Sequence, residues 1–302
     1  IKKAPDGKLW FGTEGGGISI YDGTSFNDLT WADGLPDNKI RDIYFDDTGD
    51  VLISTQGGVV KYNYKTFVRL SPRSLGYDFS FNNPTKISKS QDGIYWISDN
   101  FGSGILKYDP SSLINITEVD SFPRGQIRKI VADKNNNLWL ASNSKGLIHI
   151  ADNKVIKNLT IKNGLRSNQI NDVVLDIYNN IWLATANGLS RYDGRNITNF
   201  TTKDGLPRDF ISSVYADKIG NIWLGTAIGL VKYDGETFNT YGENEGLFSF
   251  ASARGLKVSG NGDLICVGSY GSGVSIFDGV SFNNLSEKDG LSDTRVTALG
   301  MD

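Results

Sequence analysis

The sequence predicts an all-β protein, a seven-bladed β-propeller with four antiparallel strands per blade. Its main signal is a short apolar cluster that recurs seven times and is followed each time by a Gly-rich turn. The second positions of the clusters fall at residues 10, 52, 96, 139, 182, 223 and 266, so the period is 41 to 44 residues. A period near 40 with several short strands per unit is typical of propeller blades, which bury their apolar faces only by stacking on one another.

Composition agrees with this prediction. The 302 residues are 39% hydrophobic and include 35 Gly, which suits many short strands joined by tight turns. The net charge is −3, so we expect no nucleic-acid partner. The sequence has no apolar run of about 18 residues and begins at Ile1, so it predicts neither a membrane span nor a signal peptide.

One repeat illustrates the predicted blade. Strands are indicated by apolar and β-branched runs, and turns by Gly-Asn and Asp-Gly pairs, because these residues accept positive φ where the chain reverses. The predicted strands of this repeat are Ile211–Asp217, Ile222–Thr226, Leu230–Tyr233 and Thr237–Tyr241. The Asp of each Asp-Gly pair is therefore interpreted as a turn former and not as part of a metal site.

The recurring aromatic residues are interpreted as core. A Trp in the middle of the second strand suits the space between adjacent blades. A second aromatic follows at a near-constant distance, at Tyr21, Tyr62, Tyr108, Tyr192, Tyr233 and Phe277. Cys266, the only cysteine, takes the Trp position of the last copy, which predicts a small buried hydrophobic residue without a disulfide.

The two ends of the chain predict how the ring closes. The strand that precedes each cluster occurs for the last time at 296–302, whereas the first cluster lies at Trp10. We therefore expect residues 296–302 to enter the blade of Trp10, which removes the open edges of the ring. Residues 1–4 align with the same slot as residues 299–302, so we expect residues 1–302 to be a single propeller cut from a longer array.

The full repeat pattern resembles a known family. Asp217 begins its best copy, which continues through 220–226 (Gly-Asn-Ile-Trp-Leu-Gly-Thr) and 229–235 (Gly-Leu-Val-Lys-Tyr-Asp-Gly) to Phe238. Connections such as Asp33-Gly34-Leu35-Pro36 complete it. This pattern resembles the two-component regulator propeller repeat of bacterial sensor histidine kinases, including hybrid kinases. The connections at 71–84 and 111–124 depart from it.

The resemblance implies a sensory function. It places the propeller in the periplasmic, extracytoplasmic part of a membrane-anchored, multi-module sensor, with the kinase activity outside residues 1–302. It implies the adjoining sensor modules as partners and an oligosaccharide or another small ligand as the signal, while a homodimer stays open. No enzyme activity, catalytic residue, metal or cofactor is predicted for these residues.

Candidate ligand-binding residues follow from position. The turn after each Trp strand and the Asp-Gly-Leu-Pro connection between blades end on one face, and propeller ligands usually meet loops around the central channel. Rings and planar polar groups there suit stacking on sugars and hydrogen bonding to hydroxyls. The predicted ligand-binding residues are Asn38, Phe101, Arg124, Lys145, Asn168, Arg208 and Tyr270.

Two alternatives to a sensor stay open. Residues 7–14 are similar to the repeat of streptogramin B lyase, a propeller enzyme class that relies on a catalytic His with acidic groups and Mg²⁺. The only histidine, His149, is predicted within a strand in the slot that Tyr192 fills, which argues for a structural role. Trp31, at the end of a predicted outer strand, lies outside the repeated Trp position and suggests a partner contact, as in a protein-interaction scaffold.

Overall fold

The fold is described for residues 2–4, 6–46, 49–70, 84–99, 105–109, 112–115, 123, 125–248, 257–260, 264–269 and 271–298 of a computed structural model. These residues form seven antiparallel sheets arranged in a ring. The predicted seven-bladed propeller is confirmed. Blade 1 holds β1–β4 and β29, and blades 2 to 7 hold β5–β8, β9–β12, β13–β16, β17–β20, β21–β24 and β25–β28, whose bounds follow.

Neighbouring blades meet through their first strands, which line the central channel. These first strands are β1 (Lys2–Lys3) with β29 (Val296–Ala298), β5 (Ile40–Phe45), β9 (Pro84–Lys89), β13 (Ile127–Ala132), β17 (Ile170–Leu175), β21 (Ile211–Ala216) and β25 (Lys257–Gly260). The second strands carry the apolar clusters and are β2 (Leu9–Thr13), β6 (Val51–Thr55), β10 (Tyr95–Asp99), β14 (Leu138–Ser142), β18 (Ile181–Thr185), β22 (Ile222–Thr226) and β26 (Ile265–Ser269).

The outer half of each blade is less buried. The third strands are β3 (Ile18–Tyr21), β7 (Gly58–Tyr62), β11 (Ile105–Asp109), β15 (Leu147–Ala151), β19 (Gly188–Tyr192), β23 (Gly229–Tyr233) and β27 (Gly273–Phe277). The fourth strands are β4 (Phe26–Leu29), β8 (Phe67–Leu70), β12 (Ser112–Asn115), β16 (Lys154–Leu159), β20 (Ile197–Phe200), β24 (Phe238–Tyr241) and β28 (Phe282–Leu285). Burial therefore falls from the second strands outward, as expected when blades pack face to face.

Both ends of the chain complete blade 1. Strand β29 pairs with the later half of β2, where Ala298 stands opposite Gly12. Strand β1 pairs with the earlier half of the same strand, where Lys3 stands opposite Leu9. The two terminal segments thus share one slot beside β2, and the predicted noncovalent closure is confirmed for the described residues.

Tryptophans fill the space between blades, as predicted. The ring of Trp182 in blade 5 lies 5.9 Å from that of Tyr233 in blade 6, and Trp223 in blade 6 lies 6.0 Å from Phe277 in blade 7. Each of these Trp side chains is buried. Burial of such a ring removes a large apolar area from water, which makes each blade depend on the next.

Polar contacts also join the first strands. The buried Asp172 carboxylate of blade 5 accepts a hydrogen bond from the Val214 N–H of blade 6 at 3.0 Å. It also pairs with Lys129 Nζ of blade 4 at 2.8 Å. One carboxylate therefore links three successive blades, and its buried charge is compensated on both sides.

Among the described residues, five connections between blades begin with a short 3₁₀ turn. These turns are Trp31–Asp33, Ile161–Asn163, Thr202–Asp204, Glu243–Glu245 and Glu287–Asp289. In the first connection Gly34 follows with φ 118°, and Leu35 then inserts into the core. The Asp-Gly-Leu motif thus caps the turn, reverses the chain through a left-handed glycine and anchors it with a leucine. Among the described residues, no helix is long and apolar enough to cross a membrane.

Candidate ligand-binding face

The turns after the second strands and the connections between blades lie on one face, as predicted. The Gly17 N–H donates to the Asn38 carbonyl at 3.0 Å, and the Gly146 N–H donates to the Asn168 carbonyl at 3.0 Å. Each pair joins a turn of one blade to the connection that leaves the same blade. We call the surface formed by these two sets of loops the loop face.

A β-bulge recurs where the first strands reach the loop face. In six blades one extra residue stands in the first strand against its partner strand, which disrupts the ladder locally. The bulged residues, here called the mouth ring, are Arg41, Thr85, Arg128, Asn171, Ser212 and Thr297. Because the first strands line the channel, the mouth ring surrounds its opening on the loop face.

The two arginines of the mouth ring differ in their partners. Arg41 Nη1 pairs with the carboxylate of Glu14 at 3.1 Å. Arg128 donates from Nε and Nη2 to the Asn143 side-chain oxygen at 3.2 and 2.7 Å. Among the described residues no carboxylate lies within ion-pair distance of Arg128, and burial lowers the pKa of its guanidinium. Arg128 is therefore a half-buried cation held by a neutral amide, with donors suited to a carboxylate or to hydroxyl groups.

Two of the predicted binding residues hold the connections in place. The Asn38 side-chain oxygen accepts a hydrogen bond from the Trp31 N–H at 2.7 Å, and that of Asn168 accepts from the Ile161 N–H at 2.8 Å. Asp209 does the same for the Thr202 N–H at 2.8 Å. This repeated contact gives Asn38 and Asn168 a structural role on the loop face. Their predicted role in binding stays a prediction.

The other predicted residues divide into two groups. Lys145 and Arg208 are exposed on the loop face. Phe101, Arg124 and Tyr270 lie outside the described residues. The structure thus places four of the seven on the loop face and tests binding by none of them.

The sequence prediction missed the arginines of the mouth ring. Arg41 and Arg128 each follow the isoleucine that begins a first strand. When the repeats are aligned, this second position holds Arg, Arg, Asn and Ser at residues 41, 128, 171 and 212. A polar residue that varies between repeats, inside an otherwise apolar strand, was the sequence signal for these positions. The bulge itself has no characteristic sequence.

His149 does not fill the repeated aromatic slot, so that prediction is wrong. It stands opposite Trp139, as Arg191 stands opposite Trp182 in blade 5, and Ile150 takes the aromatic slot. The reason is one additional residue in the turn between β14 and β15. The predicted structural role agrees with the contacts, since the imidazole stacks on the Trp139 ring at 3.9 Å and burial lowers its pKa.

Three further predictions concern single residues. Trp31 was predicted at the end of an outer strand, but this strand ends at Leu29 and Trp31 begins the 3₁₀ turn that follows. Its side chain is 70% exposed. Burial raises the pKa of the Cys266 thiol to about 12, which fits a buried hydrophobic residue. Asp234 accepts hydrogen bonds from the N–H groups of Glu236 and Thr237, which lower its pKa and confirm its role as a turn former. No cluster of metal-ligating residues occurs in the described part of the chain.

The comparisons with known proteins agree with the repeat pattern. The sequence profile of the two-component regulator propeller family matches residues 205–227. No curated protein matches the sequence.

Solved structures share the fold. The extracellular domain of the hybrid two component system BT3049 from B. thetaiotaomicron is 20% identical with a TM-score of 0.70 over 96% of this chain and 47% of that one. The extracellular domain of the one component system BT4673 from B. thetaiotaomicron is 14% identical with a TM-score of 0.66 over 98% and 48%. Virginiamycin B lyase from Staphylococcus aureus is 14% identical with a TM-score of 0.67 over 88% and 89%.

These likenesses show a common fold. The chain spans about half the length of the two extracellular domains. The chain is a seven-bladed propeller, and the resemblance drawn from the repeats is confirmed at residues 205–227, which match the two-component regulator propeller repeat.

Proposed function

We propose that this chain is the ligand-binding propeller in the extracytoplasmic part of a membrane-anchored two-component sensor. Its ligand is an oligosaccharide or another small molecule that binds on the loop face. The family match and the likeness to two extracellular domains of one- and two-component systems support this proposal. The adjoining modules of the same sensor are its protein partners.

The observation that carries the proposal is Arg128 in the mouth ring. A half-buried guanidinium usually gains a compensating partner, yet its bonds go to the neutral side chain of Asn143. A bound carboxylate or a pair of hydroxyls at the channel mouth would complete this arrangement. Ligand binding then favours one position of the ring relative to the adjoining modules, which is how binding at a distance biases a kinase.

Binding is favoured over catalysis. His149 stacks on Trp139 within a blade, and its Nε2 is buried without a hydrogen-bond partner among the described residues. A general base needs a ring nitrogen within reach of its substrate, and the buried Nε2 is poorly placed for that task. These contacts of the only histidine support binding as the proposed role of the shared fold.

The test compares two arginine variants. Calorimetric titration with a panel of neutral and uronate-containing oligosaccharides would measure affinity for the parent, Arg128→Gln and the control Arg195→Gln. Arg195 is exposed in a turn on the opposite face. We expect Arg128→Gln to weaken binding at least about tenfold, and Arg195→Gln to leave it unchanged. Equal affinities of all three proteins would contradict the proposal.

A protein-interaction scaffold is the second candidate. Trp31 and Ile161 occupy the same position of two connections and are 70% and 57% exposed. Exposed large apolar residues at a repeated position favour a protein contact. Sedimentation equilibrium of the parent and of Trp31→Ser tests this candidate, because an association that the variant loses would place a partner there, with a homodimer as the simplest case.

A further inference from the structure

The junction between blades 3 and 4 departs from the repeat at an aromatic slot of blade 4. In six blades the residue opposite the first position of the second strand is aromatic, at Tyr21, Tyr62, Tyr108, Tyr192, Tyr233 and Phe277. In blade 4 this slot holds Ile150, and the neighbouring slot of the outer strand holds Val155. In blade 6 the same two slots hold the stacked rings of Tyr233 and Phe238, 4.5 Å apart.

The smaller side chains leave a groove beside Trp96 of blade 3. Its volume is about 180 Å³, and it opens between the hairpin turns of blades 3 and 4. These turns join first to second strands and third to fourth strands, so the groove lies on the face opposite the loop face. It is separate from the mouth ring and has no part in the function proposed above.

The walls of the groove are polar and its floor is apolar. Asp92 and Asp152 contribute carboxylates, Asn136 and Asn153 contribute amides, and Ile150 forms part of the floor. Lys107 places its ammonium 5.7 Å from the centre of the Trp96 ring, within the same groove. Carboxylates accept, ammonium groups donate and amides do both, which is the set of groups that a polyhydroxylated molecule needs.

Charge and size restrict the ligand. Two carboxylates against one ammonium disfavour an anion. The volume equals about six water molecules at ~30 Å³ each and is below the ~300–1,000 Å³ of pockets for drug-sized ligands. We propose that the groove between blades 3 and 4 binds one neutral, pyranose-sized sugar residue.

Two variants with a matched control test this site. Ile150→Tyr places in the slot the residue that other blades carry there and should fill the groove. Lys107→Met keeps the aliphatic stem over Trp96 and removes the ammonium. Lys232→Met makes the same change over Trp223 in blade 6, where Phe277 fills the junction. Saturation-transfer NMR and calorimetry with neutral hexoses, N-acetylhexosamines and their disaccharides give the affinities.

We expect at least one neutral sugar to bind the parent, Ile150→Tyr and Lys107→Met each to weaken it about tenfold or more, and Lys232→Met to leave it unchanged. Absence of binding by every sugar of the panel, or equal binding by Lys107→Met and Lys232→Met, would overturn the site. If Ile150→Tyr fails to fold, the two lysine variants decide. Binding that Arg128→Gln abolishes and Ile150→Tyr retains would place the sugar on the loop face, which overturns the groove and supports the proposed function.

Discussion

Blades 6 and 1 share one design and differ in the hairpin between their first and second strands. In blade 6 the Asp217 carboxylate accepts hydrogen bonds from Trp223 Nε1 at 2.9 Å and from the Asn221 side chain at 2.7 Å. In blade 1 the same position holds Ala4, whose N–H donates to the Lys8 carbonyl at 2.7 Å. The equivalent bond in blade 6 joins the Asp217 N–H to the Asn221 carbonyl at 2.9 Å.

The difference separates two roles of the aspartate. The hairpin of blade 1 closes without a carboxylate, so the backbone does not require one. The buried Trp10 Nε1, however, has no hydrogen-bond partner among the described residues. Blade 5 repeats the contact of blade 6, because Trp182 Nε1 donates a hydrogen bond to the Asp176 carboxylate at 2.9 Å. The aspartate of the repeat thus serves the buried indole, and in the blade that joins the two chain ends the indole lacks this acceptor among the described residues.

Removal of the blade 6 indole should give the largest effect. Trp223→Ala deletes a buried ring between two blades, and we expect it to lower the free energy of unfolding by about 4 kcal/mol. Urea denaturation followed by fluorescence and circular dichroism measures the change. Trp31→Ala is the control and should change it by no more than about 0.5 kcal/mol, because its side chain is exposed. A similar loss in both variants would contradict the packing role.

Removal of the blade 6 carboxylate should cost less. Asp217→Ala leaves Trp223 Nε1 and the Asn221 amide without their acceptor, and we expect a loss of about 2 kcal/mol. The same denaturation experiment applies. A loss below about 0.5 kcal/mol would mean that the carboxylate does not serve the indole.

Addition of the missing carboxylate to blade 1 should act in the opposite direction. Ala4→Asp gives the buried Trp10 indole an acceptor and should raise the free energy of unfolding by about 1 kcal/mol. Ala4→Asn offers a neutral acceptor of the same shape and should gain less. Destabilisation by both substitutions would show that the slot of Ala4 cannot hold a longer side chain.

Blade 4 extends the comparison to pH and should show the smallest effect. His149 stands over Trp139 where Lys232 stands over Trp223, and burial lowers its pKa below 6.5. Below pH 6.5 the unfolded chain therefore binds a proton that the folded chain does not, so the stability contribution falls as the pH falls. His149→Phe keeps the stacked ring without this titration. The free energy of unfolding of the variant minus that of the parent should be larger at pH 5.5 than at pH 7.5. An equal difference at both pH values would contradict the lowered pKa.

The repeat made most of the fold predictable. The spacing of the Trp clusters predicted the blades. The C-terminal segment that begins at Val296 has the pattern of a first strand, and this pattern predicted the closure of blade 1. These predictions hold because stacking forces the same apolar slots on every blade. The slot of His149 was missed because one additional turn residue shifts the register of a strand without changing its composition.

The candidate site was less predictable. Asn38 and Asn168 were chosen as exposed polar groups, yet each holds a backbone N–H of its own connection. The mouth ring depends on bulges, and the groove depends on the absence of rings at Ile150 and Val155. Such features follow from comparison between blades in three dimensions, which a pattern of polar residues does not contain.

Closure of the ring is the central claim, and one cross-link tests it directly. Ser19 in blade 1 and Ser292, just before the last strand, have their Oγ atoms 2.5 Å apart. Because near-isosteric thiols would meet at disulfide distance, Ser19→Cys with Ser292→Cys should form an intramolecular disulfide on mild oxidation. Ser190, in the same slot of blade 5, provides the control pair Ser190→Cys with Ser292→Cys, which should remain reduced. Mass spectrometry that finds free thiols or disulfide-linked dimers for the first pair, or an equal disulfide yield for the control, would contradict the closed ring.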